Sequence, residues 1–266
     1  MHFSRMFLVN AFTFTWLPAI ICAADCGASG TVLVKYSPAS GNDPSCLGLQ
    51  NLQGWHRANW PDNQAQNNSV YFKNAKDPDG VVAAHVHKDA GFTRSEYHSL
   101  NKETKVDTTY YIAYRVMFQN VDQQTIVFQW KEYVETETNN IPAALYFRQD
   151  ADGVDNHTIN LGAPGFQSVW SKQLTMGKIY NFGIVINTSK TQGFIQLYFN
   201  GQLSTLTDPT TKTKTQKLAG EFFPGRADPK FGLYDGKNFK VCDSYIYDVV
   251  IGTKLSDIAA VVGIST

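Results

Sequence analysis

The sequence predicts an all-β protein, a β-jelly roll sandwich of two antiparallel sheets with a concave groove, on three observations. Short segments that alternate apolar and polar residues recur through the 266-residue chain with turn residues between them, which is the period of strands buried on one face. Only 256–261, close to the C-terminus, carries a helical signal. The dipeptide Asn200-Gly201 stands between FIQLYF and QLSTL, where a two-residue type I′ hairpin needs positive φ at both central positions.

Residues 1–24 read as a secretory leader: Arg5 supplies the positive end, 7–22 are mostly apolar, and Ala23 and Ala24 offer a small-residue cleavage site. The remainder, 25–266, has no Pro/Ser/Gly linker and is expected to form a single domain, secreted and extracellular. No later apolar run approaches the roughly 18 to 20 residues of a membrane span. The formal net charge is +0, and −1 once Arg5 leaves with the leader, so nothing in the overall charge points to nucleic acid or a charged membrane. Loss of Cys22 leaves Cys26, Cys46 and Cys242, an odd number that predicts one disulfide and one buried thiol. Cys26 with Cys46 and Cys46 with Cys242 are both open. Sequons at Asn67, Asn156 and Asn187 are candidate glycosylation sites.

From 36 to 68 the chain is rich in Asn, Gly and Pro and reads as loops around one or two short strands. The predicted strands then follow in order: 70–72, 81–87, 92–99, 108–118, 126–133, 143–149, 157–161, 178–187, 193–200, 230–234 and 239–252. If KDAG at 88–91 closes a hairpin, His85 lies opposite Arg94 and His87 opposite Phe92. His85, His87, Arg94, Glu96 and His98 would then share one face.

The segment TIVFQWKEY organises the functional reading. Strict alternation puts Ile126, Phe128 and Trp130 on a core face and Val127, Gln129, Lys131 and Tyr133 on the other. An amide, an ammonium and a phenol in a row suit a surface that holds something polar. In FTRSEYHS, Arg94, Glu96 and His98 project together, and the Arg94 guanidinium is the fork best matched to a carboxylate. In KFGLYDG, Lys230, Gly232 and Tyr234 share a face, with open space expected beside Gly232. Tyr146 and Arg148 extend the same kind of surface. His85 and His87 have the look of metal ligands but lack a visible third. Glu132, Glu135 and Glu137 are the nearest acids for glycoside hydrolysis, without the strand alternation a catalytic pair needs.

Arg94 in TRSE, Gln129 in VFQWK and Tyr234 in KFGLYDG resemble, in order and spacing, the signature strands of jelly-roll polysaccharide lyases. Family 7 alginate lyases carry R-S-E, Q-I/V-H and K-x-G-x-Y; this chain has Lys131 in place of the His. It is more similar to the fungal glucuronan lyases of polysaccharide lyase family 20, and 180–203 followed by KFGLY also resembles the heparin-lyase-like group. The resemblance implies a monomer acting on an acidic polysaccharide, glucuronan first, by β-elimination. Gln129 and Arg94 would stabilise the enolate-like intermediate, and Tyr234 would serve as acid and possible base. His85 is the alternative base, while His87, Lys131, Tyr146, Arg148 and Lys230 line the site. The chemistry requires no cofactor, and the resemblance implies a structural calcium near Asp243. The alternatives are an alginate lyase and a lectin-like module that binds acidic glycans without cutting them.

Overall fold

The computed structural model describes residues 26–55, 71–134, 140–149, 156–238 and 240–265. The leader, Asn67, Glu135 and Glu137 lie outside the described residues. Two antiparallel sheets pack face to face. One runs β13-β12-β11-β6-β18-β4-β3, with β1 on β18 and β16 on β12; the other runs β10-β9-β8-β7-β17-β5-β2. The first contains β1 Val32–Tyr36, β3 Phe72–Lys76, β4 Val82–Lys88, β6 Thr109–Asn120, β11 Ile179–Asn187, β12 Phe194–Phe199, β13 Gln202–Leu203, β16 Leu218–Ala219 and β18 Cys242–Gly252. The second contains β2 Leu49–Trp55, β5 Phe92–His98, β7 Ile126–Glu132, β8 Ala143–Phe147, β9 Thr158–Gly162, β10 Ser168–Gln173 and β17 Ala227–Tyr234. A small ribbon of β14 Leu206–Thr207 and β15 Lys214–Thr215 completes the sheets.

One core joins both sheets, because alternate residues of each strand point inward. Aromatic pairs cross the interface: Tyr114 with Phe231 at 5.4 Å, Phe118 with Phe147 at 5.1 Å and Phe72 with Tyr97 at 4.7 Å between ring centroids. Edge-to-face pairs of this kind add about 0.5–1.5 kcal/mol each beyond the area they bury. Trp130 is fully buried and satisfies its indole by donating to Phe222 O at 2.6 Å. Helix α1, Leu255–Val262, lays Ile258 and Val262 against Ala113 and Val250 on the outside of the nine-stranded sheet. Cys26 and Cys46 form the disulfide, with Cα atoms 5.3 Å apart, and Cys242 is the buried free thiol.

The predicted strands recur with small shifts of boundary, and Asn200-Gly201 forms its hairpin with φ of 48° and 81°. Three differences matter. First, β10 escaped notice because it is an edge strand with Val169 as its only buried residue, so no alternation marks it. Second, β4 and β5 are not a hairpin. The turn at 88–91 is an arch that carries the chain from one sheet to the other: β4 pairs with β3 and β18, whereas β5 pairs with β2 and β17. Buried Lys88 bridges that arch by donating to Phe92 O at 3.3 Å and Lys240 O at 3.4 Å. His85 therefore faces Lys73 and Tyr245 rather than Arg94, and His87 faces Asp243 rather than Phe92.

Third, the alternation of TIVFQWKEY is interrupted. The registers of β7 against β8 and against β17 both shift between Ile126 and Phe128, the signature of a bulge. Val127 and Phe128 both enter the main core, while Ile126 turns to the outer face and packs with Tyr146 and Tyr234. From Phe128 onward the expected phase holds, so Gln129 and Lys131 face outward as read.

Gly232 is not beside open space. Its φ is 140°, and a Cβ there would stand 2.1 Å from Ser95 O of the neighbouring strand. Gly232→Ala combines a disfavoured backbone region with a backbone clash, so it should cost about 3 kcal/mol or more of unfolding free energy. Denaturant unfolding of the variant checks this; a loss under about 0.5 kcal/mol would show that β17 relaxes freely at this point.

Candidate active site

The outward face of the seven-stranded sheet gathers most of the chemistry. Tyr97 points into the core, so its neighbours Glu96 and His98 point out, as does Arg94 two residues before Glu96. In β17 the same logic sends Phe231 and Leu233 inward and Lys230, Gly232 and Tyr234 outward. The β5–β17 register then sets Arg94 opposite Tyr234, Glu96 opposite Gly232 and His98 opposite Lys230, while Lys230 faces Gln129 of β7 on its other side.

Glu96 is 1% exposed and lies at the centre. Gln129 Nε2 donates to its Oε1 at 2.5 Å, reaching across β17 where Gly232 contributes no side chain. Arg94 Nη1 is 3.6 Å from Glu96 Oε2, and the Arg94 guanidinium carbon sits 4.4 Å above the Tyr234 ring. With its carboxamide oxygen turned toward the cations, Asn51 of β2 accepts from Arg94 Nη1 at 3.1 Å and from Lys230 Nζ at 3.0 Å. A planar fork held by a carboxylate, an amide and an aromatic face has little rotamer freedom left.

A second cluster surrounds Tyr133, just beyond the end of β7. His98 stacks on its ring at 5.0 Å, and Arg226, Lys230 and Lys131 lie 4.6, 5.5 and 5.8 Å from its centroid. Fully buried Asp228 anchors this group: it meets His98 Nε2 at 3.1 Å and accepts from Thr104 Oγ1 at 2.7 Å, Lys102 N at 3.2 Å and Arg226 Nε at 2.9 Å. Burial alone would raise the Asp228 carboxyl, but those hydrogen bonds and the Arg226 charge outweigh it and hold it below the usual range.

The ionisation of the outward groups follows from the same neighbours. Lys131 donates to Asn140 O at 3.0 Å. Burial first, and then the charge of Lys230, lower its ammonium to about 8. Burial likewise lowers Lys230, with Arg94 adding to the effect and Glu96 opposing it. Tyr234 is raised, first by burial, with Arg94 pulling the other way, so in the free protein its hydroxyl keeps its proton.

The structure thus brings together Arg94, Gln129, Tyr234, Lys131 and Lys230. Tyr146 belongs to the same face: it packs with Ile126 and Tyr234, and its hydroxyl donates to Phe166 O at 3.0 Å. Arg148 is exposed just past the end of β8. His85 and His87 are not in this group. They sit on the outside of the other sheet, where Ala84 and Val86 of the same strand face the core. Asp243 contacts both of them, at 2.8 Å each. Calcium takes about six to eight oxygen ligands, and two imidazole nitrogens on Asp243 do not fit it. Glu132 falls on the Trp130 side of β7, away from Glu96, so no alternating acid pair forms among the described residues. Asn156 is half-buried at the approach to β9. Asn187 is half-buried too, its amide donating to Thr109 Oγ1 at 2.9 Å and accepting from Ser189 N at 3.0 Å.

Three residues of the face went unremarked in the sequence, Asn51, Arg226 and Asp228, and Tyr133 was placed on the face without a role in the site. Tyr133 was legible by parity with Gln129 and Lys131. Asp228 and Arg226 were missed because the strand was read from Lys230, whereas β17 starts at Ala227, with Pro229 inside it and Arg226 just before it.

No protein-family model matches this sequence, and no curated protein matches it. Among solved structures, the catalytic domain of a glycoside hydrolase family 131 protein from Coprinopsis cinerea is 15% identical, with 85% of this chain and 98% of that chain covered and a TM-score of 0.54. A family 131 β-glucanase catalytic domain from Podospora anserina is 14% identical over 77% of this chain and 84% of that chain, with a TM-score of 0.50. The alginate lyase AlyC3 is 12% identical over 76% and 89%, with a TM-score of 0.47. The two family 131 domains bear out the sandwich fold; at such identities function rests on the site.

If Glu96 is the anchor of this face, Glu96→Ala leaves the Arg94 guanidinium without its opposite charge and the Gln129 amide without its acceptor. Stability should fall by about 3 kcal/mol, the scale for removing one partner of a buried pair. Chemical denaturation measures it, and a change within about 0.5 kcal/mol would mean that Arg94 and Gln129 hold their places without the carboxylate.

Proposed function

We propose that this protein is a secreted polysaccharide lyase that cleaves a 4-linked polyuronic acid, glucuronan first, by β-elimination. The observation that carries the reading is the fixed row of Gln129, Arg94 and Tyr234, set among Lys131, Lys230 and Arg226 on one sheet face. That is a cationic surface in a chain of zero formal net charge, suited to a polymer with one carboxylate per sugar.

The reaction removes the C5 proton of a uronate, forms the C4–C5 double bond and expels the C4 oxygen, which takes up a proton. The difficult step is making the C5 proton acidic. Arg94 and the remaining amide hydrogen of Gln129 stabilise negative charge as it moves onto the uronate carboxyl group. Tyr234 is the acid for the departing oxygen, because it stays protonated. Lys131 takes the place of His85 as candidate base, since an ammonium lowered to about 8 is partly neutral near neutral pH. It occupies the position at which family 7 alginate lyases carry histidine.

A β-glucan hydrolase is the second reading, favoured by the family 131 fold and by Glu96 at the centre. It would need a second carboxylate at about 5–9.5 Å; Gln129 occupies the neighbouring outward position on β7, and Asp228 is already held by His98, Thr104 and Arg226.

Ultraviolet absorbance during incubation with glucuronan, alginate, heparin and pectate tests the proposal, because elimination alone creates a conjugated unsaturated uronate. A rise with glucuronan is expected. New reducing ends without absorbance would replace the lyase with a hydrolase, and binding without cleavage would leave a lectin-like module. Tyr234→Phe should lower kcat by about 10²–10⁴ while glycan affinity persists. The rate constant kcat/KM should climb as pH rises through about 8, where Lys131 becomes neutral, and fall at higher pH once Tyr234 ionises. A profile flat from pH 6 to about 9 would remove Lys131 from the role of base.

A further inference from the structure

The outside of the nine-stranded sheet carries a cluster of donors that the lyase reading does not use. Alternation in β4 turns His85 and His87 outward, and alternation in β18 buries Cys242 and Ile246 while Asp243 and Tyr245 face out. The β18–β4 register sets Asp243 directly opposite His87 and Tyr245 opposite His85. Asp243 Oδ1 is 2.8 Å from both His85 Nε2 and His87 Nδ1. One ligand atom from each of the three residues falls within 4.8 Å of the other two. Their side chains are 22–23% exposed, so a dissolved ion can reach them.

A second observation concerns what stands behind the ligands. His87 Nε2 lies 3.1 Å from Asp89 Oδ1, and Tyr71 donates its hydroxyl to Asp89 Oδ2 at 2.8 Å. A carboxylate that accepts one ring N–H fixes the tautomer and leaves the other nitrogen with its lone pair, here Nδ1 toward Asp243. The His85 ring is held by stacking on Tyr245, with centroids 4.8 Å apart and planes at 15°. Both imidazoles are thus oriented by groups outside the cluster.

We propose that His85 Nε2, His87 Nδ1 and Asp243 bind a divalent transition metal of the zinc class, with a fourth position open to solvent or an outside ligand. Metal–nitrogen bonds of about 2.0–2.1 Å in tetrahedral geometry separate donors by about 3.3 Å, so the 2.8 Å spacings need to widen by only about half an ångström. Two nitrogens and one carboxylate select zinc, copper or nickel over calcium or magnesium. The site joins β4 to β18 on the face opposite the candidate active site and is independent of the lyase reading.

The test uses the tag-free, chelator-treated full-length secreted protein, titrated calorimetrically with zinc sulfate and followed by visible absorption with cobalt chloride. One zinc per chain is expected, and at a hundredfold excess over Kd the thermal midpoint should rise by about 5–10 °C. His85→Gln and His87→Gln should each weaken zinc at least fiftyfold. Asp89→Asn, which touches no metal, should weaken it by about tenfold. Metal-free melts of the variants that match the wild type would show that folding is intact. No stoichiometric zinc binding, undiminished binding in the histidine variants, or tighter binding of calcium than of zinc would each overturn the proposal.

Discussion

A carboxylate at 1% exposure is a liability unless its neighbours repay the lost water, and Glu96 sits at the centre of its sheet face on those terms. Its two oxygens divide the work: Oε1 takes the Gln129 amide and Oε2 faces Arg94. Each of those groups is fixed in turn, Arg94 by the Tyr234 ring and Asn51, and Gln129 by its place on a central strand. Rigid donors are what stabilising a developing charge requires, because groups that reorient during the reaction forfeit part of the gain. The arrangement depends on Gly232: a side chain there would drive into the Ser95–Glu96 backbone of β5 and displace the strand that carries Glu96.

The arch at 88–91 decides which polar residues can cooperate. Had it been a hairpin, two histidines would have joined Arg94 and Glu96 on one face and supplied an obvious base. Instead the chain changes sheets. The histidines end up on the far side of the sandwich, with the hydrophobic core between them and Tyr234. On the face that remains, the proposed lyase reading gives the role of base to Lys131, and its surroundings loosen its proton. Burial removes part of its hydration, and Lys230 and Arg94 add like charge.

The fold was largely legible because a sandwich is specified by period-two alternation and turn residues, both local signals. Arg94, Gln129, Lys230 and Tyr234 were legible for the same reason, since strand parity alone sends them to one side of β5, β7 and β17. What failed was anything set by pairing between distant segments. Nothing within 81–99 says that Val86 and Tyr97 approach the core from opposite sides, so arch and hairpin look alike in sequence. The bulge at Val127 was equally hidden: Ile and Val are both apolar, and exchanging their faces leaves the hydrophobic pattern intact. The start of β17 was hidden as well, because a proline in a central strand removes a ladder donor and is rare, and Pro229 stands inside it. The third metal-binding candidate, Asp243, is separated from His87 by more than half the chain and becomes a neighbour only through the β18–β4 register.

The Tyr133 cluster explains how so many cations share a small area without pushing the strands apart. Arg226, Lys230 and Lys131 all stand within 6 Å of one aromatic ring whose face is the negative end of its quadrupole, and His98 covers part of that ring. Asp228, buried beneath, neutralises Arg226 and positions His98. Arg94, Arg226, Lys131 and Lys230 still outnumber Asp228 and Glu96 on this face, and burial is the first cause of the loosened protons of the two lysines. An arriving uronate carboxylate would be drawn to that imbalance, whereas a neutral glucan would gain nothing from it. The electrostatics of this face therefore favour an acidic polymer on grounds independent of any likeness in fold.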